Sequence, residues 1–267
     1  MNGNVLIAFG LTAIAGLSTG IGSCLALFAK KSNTKFLSVS LGFSAGVMIY
    51  VSMIEIFFKA RETLQTAMGE KTGAAATVAA FFAGMLIIGI IDKLIPQKDN
   101  PHEIKKIENT SPKPRDDIRL MRTGLFTALA IAIHNFPEGL ATFISALQEP
   151  SMAIPIVVAI AIHNIPEGIA VSVPIYYATG SKKKAFFYSF ASGLSEPLGA
   201  VIGYLVLMPI MSDVIYGLLF SAIAGIMVFI SLDELLPSAR EYGEHHMSIY
   251  GLVAGMVVMA VSLLLFM

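Results

Sequence analysis

Two eleven-residue segments, IAIHNFPEGLA at 131–141 and IAIHNIPEGIA at 160–170, set a histidine, an asparagine and a glutamate inside apolar runs. Imidazole nitrogen, carboxylate and amide oxygen are the ligands of a divalent transition metal. Ionisable residues within hydrocarbon are expensive and by default mark an ion or substrate path. In each copy His and Glu are four residues apart, on one helical face and about 6 Å apart along the axis. The proline three residues after each histidine lacks an N–H, so the carbonyls of Ile133 and Ile162 lose their helical partners. Such backbone is tolerated deep in a membrane only where it is buried in protein or lines a wet cavity. Gly139 and Gly168 then allow close helix approach or a local bend.

The candidate ligands are therefore His134, Asn135, Glu138, His163, Asn164 and Glu167, with Glu196 of GLSEPLG (193–199) as a third carboxylate. Unpaired at mid-bilayer, each carboxylate would cost roughly 2.5–3.5 kcal/mol on the insertion scale for charged residues. A divalent cation offsets that cost, and carboxylates that lose the cation should take up protons. With Glu138 and Glu167 as bridges the set could hold a metal pair.

The elements that must position these groups are apolar helices. Of 267 residues 55% are hydrophobic and 13% charged, and the mean hydropathy is +0.75. A soluble domain carries about 25% charged residues, so the chain reads as an all-α integral membrane protein. Net charge is zero, with 18 residues of each sign, which gives no basis for nucleic acid as a partner. Cys24 is the single cysteine; a disulfide and a Cys-rich metal site are both excluded. No basic leader precedes the first apolar run, and no cleavable signal peptide is expected. A crossing needs about 20 apolar residues, and eight candidates occur at about 4–29, 36–58, 72–95, 121–147, 152–178, 185–208, 214–237 and 248–267. Residues 96–120, rich in Lys, Pro, Asp and Asn, read as a mobile cytoplasmic loop.

Basic residues orient the chain. Loops after the odd-numbered crossings hold fifteen Lys and Arg against three on the other side, which places those loops in the cytoplasm and both termini outside. His134, His163 and Glu196 then fall at one depth, near the centres of crossings four, five and six. A fainter repeat aligns AGVMIYVSMIEIF (45–57) with AGIMVFISLDELL (224–236). Crossings two and seven run in opposite directions, so three helices on each side of a central pair form a 3+2+3 inverted repeat. Inverted repeats with a midplane site and broken central helices mark secondary transporters.

The paired HNFPEG and HNIPEG motifs with GLSEPLG resemble the ZIP family of divalent-metal transporters, and within it the bacterial zinc-uptake branch. The resemblance covers essentially the whole chain. It implies a binuclear centre halfway across the membrane. One metal would be held by His134, Glu138, His163 and Glu167, the other by Asn135, Glu138, Asn164, Glu167 and Glu196. Some relatives carry Gln at the span-five position, and His163 favours the two-histidine form. The family imports zinc, often with iron, manganese, cobalt or cadmium, and some members are thought to move the central helices as an elevator. No cofactor is implied apart from the transported Zn²⁺ and similar ions. The partners are those cations and the bilayer of the cell membrane, with a homodimer left open.

Other residues keep two readings. Ser52 and Glu55 near the outer end of crossing two, and Ser231, Asp233 and Glu234 near the inner end of crossing seven, fit an entrance and an exit for cations. They fit interfacial solvent contact equally. Asp92 reads as interfacial. His102-Glu103 and Glu244-His245-His246 read as solvated loop residues or as metal-catching groups. A membrane-embedded metalloenzyme is the rival function, since His-x-x-x-Glu has some likeness to His-Glu-x-x-His; neither copy has the second histidine. Nothing resembles a nucleotide-binding loop, so gradient-driven or proton-linked movement is the remaining choice.

Overall fold

The computed structural model describes residues 3–28, 34–94, 115–148, 150–242 and 245–265. Those residues are helical almost throughout, without strands. In order they form α1 (Gly3–Phe28), α2 (Thr34–Tyr50), α3 (Phe57–Met68), α4 (Glu70–Leu94), α5 (Arg115–Gln148), α6 (Pro150–Thr179), α7 (Lys182–Gly193), α8 (Ser195–Ile202), α9 (Asp213–Ile230), α10 (Leu236–Tyr242) and α11 (His245–Leu265). Seven helical runs are long and apolar enough to cross a bilayer. The 34-residue α5, which carries the first motif, adds another apolar run.

Among the described residues three π-helical turns interrupt the ladder, at Val51–Ile56, Gly203–Leu207 and Ser231–Leu235. The first joins α2 to α3 and the last joins α9 to α10, so each lies in one copy of the faint repeat, at matching places. A π turn inserts a residue and is common at functional sites. The Phe57 N–H reaches back to the Ser52 carbonyl, and the Leu236 N–H to that of Ser231.

Two expectations need correction. The run expected to end at residue 58 continues as helix to Met68. Lys59, Arg61 and Glu62 signal departure from lipid, and charged residues are good helix formers in water, so polarity marked the bilayer edge and not the helix end. Gly69, at φ +87°, provides the turn into α4. Residues 115–120, read as part of the long loop, belong to α5. Residues 96–114, with His102 and Glu103, and Glu244 lie outside the described residues. The motif prolines do not end their helices: α5 and α6 run unbroken past Pro137 and Pro166.

At the centre is α6, whose apolar stretch is 72% buried, against 22% for those of α4 and α11. α6 packs on α1, and α5 on α8; α2 packs on α11, and α4 on α9. Glycines set these crossings. A Cβ on Gly168 of α6 would stand 1.9 Å from the Thr19 carbonyl oxygen of α1, and one on Gly139 of α5 would stand 2.1 Å from that of Glu196 on α8. Likewise Gly46 abuts the Leu252 carbonyl, and Gly225 that of Phe81. Without water as a driving force, small residues that let backbones touch are how membrane helices associate.

Candidate metal centre

Close approach through Gly139 and Gly168 brings α5, α6, α8 and α1 together at the motifs. His134, Asn135, Glu138, His163, Asn164, Glu167 and Glu196 are each at most 1% exposed. All seven candidates are therefore buried, on three helices, α5, α6 and α8. The pairing is crossed between the two motifs. His134 Nε2 lies 3.1 Å from Glu167 Oε2, and His163 Nε2 lies 3.2 Å from Glu138 Oε1. The second contact lacks the alignment of a hydrogen bond. His163 Nε2 is also 3.9 Å from Glu167 Oε1 within its own helix. Two imidazoles and two carboxylates thus form an open ring of three contacts between α5 and α6, running His134–Glu167–His163–Glu138.

Asn164 joins the ring to the neighbouring helices. Its Nδ2 donates to the Ala15 carbonyl at 3.0 Å and to Glu196 Oε1. Ser44 of α2 donates to Glu167 Oε1 at 3.0 Å. Several acceptors and donors have no hydrogen-bond partner: both amide atoms of Asn135, Oδ1 of Asn164, Oε2 of Glu196 and both oxygens of Glu138. Buried polar atoms left this way are rare because each costs about 1–3 kcal/mol. Here they lie on the residues whose oxygens suit a cation. Among the described residues no three His, Cys, Asp or Glu side chains converge in ligating geometry; the imidazole nitrogens point at carboxylates instead.

Further residues fall on either side. Ser52 is buried and its hydroxyl has no hydrogen-bond partner, while Glu55 is half-buried. Asp233 is exposed and Glu234 half-buried. With Asp92 they line one small cavity, about 30 Å³, together with Ala130, Ile133 and Phe229. Ala130 is one helical turn from His134, so this acidic cavity adjoins the ring. A second and larger cavity of about 430 Å³ is bounded by Ile133, Phe136 and Pro137. The backbone around Pro137 therefore borders open space with a largely apolar lining. Asp92, read as interfacial, lies in the cavity wall, and Ser44 had no signal in the sequence: a single serine in an apolar run matches no metal-ligand spacing.

The family model described as ZIP zinc transporter matches residues 92–263. The chain belongs to the ZIP zinc transporter family. It is 69% identical over 266 residues to the zinc transporter ZupT of Streptococcus mutans, with both chains covered in full. It is 66% identical to the ZupT of Clostridium perfringens, over 98% of this chain and 97% of that one, and 63% identical to that of Oceanobacillus iheyensis, over 98% of each. As a ZIP protein the chain is a multi-pass membrane transporter and not an enzyme, which sets aside the metalloenzyme reading.

Proposed function

We propose that this ZIP protein imports Zn²⁺ through the ring formed by His134, Glu138, His163 and Glu167. The observation that carries the reading is the crossed His–Glu pairing between two antiparallel copies of one motif. Two imidazoles with carboxylates make a mixed nitrogen and oxygen set that suits Zn²⁺ and, beyond it, Fe²⁺, Mn²⁺, Co²⁺ and Cd²⁺; it does not suit Cu⁺, which prefers sulfur. A second cation would be held by Asn135, Asn164 and Glu196, with Glu138 and Glu167 bridging. The unpartnered oxygens of Asn135, Asn164 and Glu196 support that second position.

The remaining parts follow the same reading. Ser52 and Glu55 would receive the ion at the outer face. Asp233 and Glu234, with Asp92, would receive it at the inner face, and the cavity beside Ala130 and Ile133 favours this. Both termini lie outside, by the excess of basic residues on the other side. The 3+2+3 inverted repeat is supported by matched packing: Gly139 on the α8 carbonyl corresponds to Gly168 on the α1 carbonyl, and Gly46 on α11 corresponds to Gly225 on α4. The two π turns at equivalent places in the faint repeat support it as well.

The test is Zn²⁺ flux into proteoliposomes, with and without a proton gradient. Glu138→Ala and Glu167→Ala should each abolish uptake while leaving the protein in the membrane at its normal amount. Normal uptake by both variants would overturn the site.

A further inference from the structure

Glu167 and Glu138 occupy equivalent places in the two motifs, yet their surroundings differ. Glu167 Oε1 accepts a 3.0 Å hydrogen bond from Ser44, with both residues fully buried. Neither oxygen of Glu138 has a hydrogen bond. The source of the difference is the α2 face that meets α6. Gly42 and Gly46 lie against the carbonyls of Ser248 and Leu252 on α11. Ser44, two residues from each and so about 200° around the helix, faces the other way, toward α6, on which α2 also packs. In the matched segment of α9 the corresponding residue is Ile223, which has no hydroxyl to offer.

We infer that Ser44 is a positioning residue for metal binding, contributed from outside the motif helices. Its hydroxyl fixes the Glu167 carboxylate so that Oε2 faces His134 and Oε1 stays oriented toward His163. Glu138, without such a donor, is the carboxylate that adapts. Partners of metal-binding carboxylates set ligand orientation, and their loss commonly costs 10–100-fold in affinity or activity. The inference rests on the proposed Zn²⁺ site, and the experiment separates the two.

Zn²⁺ uptake into proteoliposomes is measured as a function of Zn²⁺ concentration for wild type, Ser44→Ala, Ser44→Thr and Glu167→Ala. The alanine variant should raise the half-saturating Zn²⁺ concentration by about tenfold, with little change in maximal rate or in protein inserted. Ser44→Thr, which keeps the hydroxyl, should stay close to wild type. A purely structural role would instead lower the amount of protein or the maximal rate. Should the alanine variant fail to insert, Ser44→Cys, of similar size with a weak donor, must show the same rise. An unchanged half-saturating concentration in Ser44→Ala, or an equal rise in Ser44→Thr, overturns the assignment of Ser44. If Glu167→Ala transports normally, Glu167 is no ligand and this inference falls with it; if Glu138→Ala does so too, the site reading itself falls.

Discussion

A close steric constraint acts on the site, and Gly168→Ala tests it. A methyl group there would stand 1.9 Å from the Thr19 carbonyl oxygen, where an ordinary contact is about 3.4 Å. The partner atom is backbone, so α1 and α6 must part by about 1.5 Å. Helix propensity argues the other way, favouring alanine by about 0.8–1.0 kcal/mol. Overpacking of a close crossing costs typically 1–3 kcal/mol, and it acts where geometry matters most. The Asn164 to Ala15 bond crosses the same interface at 3.0 Å, and an opening of that size takes it beyond hydrogen-bond range. Glu167, one residue away, moves with it. A displacement of about 1 Å at a working site commonly costs on the order of 100-fold, so Zn²⁺ uptake should fall by about that factor. The assay is uptake per inserted molecule in cells, with Gly10→Ala as control because nothing lies within 4 Å of that position. Wild-type uptake by Gly168→Ala would refute the argument that this contact sets the site.

Three further outcomes follow from the same geometry. His163→Gln exchanges an imidazole for an amide oxygen, which should shift preference from Zn²⁺ toward Mn²⁺; an unaltered ratio of the two uptake rates would exclude His163 as a ligand. Asn164→Ala leaves the buried Glu196 without its donor and should cost about 1–3 kcal/mol, measured as a lower midpoint of thermal unfolding of the purified protein; an unchanged midpoint contradicts this. Protons compete with the metal for the same nitrogens and oxygens, and ligands bind deprotonated. Lowering the pH from about 7.5 to about 5.5 should therefore raise the half-saturating Zn²⁺ concentration, whereas a flat profile would count against protonatable ligands.

Much of the candidate site was legible in the sequence because its residue types recur with a fixed helical spacing. The duplicated His-Asn-x-Pro-Glu-Gly and Glu196 stand out against apolar neighbours, and each of the seven candidates is buried. Helix type was legible for the same reason, since long apolar runs in a bilayer have few alternatives. What was not legible depends on which faces meet. Ser44 becomes important only because Gly42 and Gly46 turn the opposite side of α2 to α11. Asp92 joins Asp233 and Glu234 only through the packing of α4 on α9. The π turns leave no mark in hydropathy, because one inserted residue does not alter the apolar character of a run. The extension of helix to Met68 was missed because hydropathy reports the end of the lipid and says nothing of the end of the hydrogen-bond ladder.

The most direct test of the central claim is anomalous X-ray scattering at the zinc edge from crystals of the protein grown with Zn²⁺. The account predicts a peak between α5 and α6 within about 2.0–2.2 Å of the Nε2 atoms of His134 and His163 and of oxygens from Glu138 and Glu167. Zinc found only at surface groups such as His246, with no peak between those two helices, would contradict it.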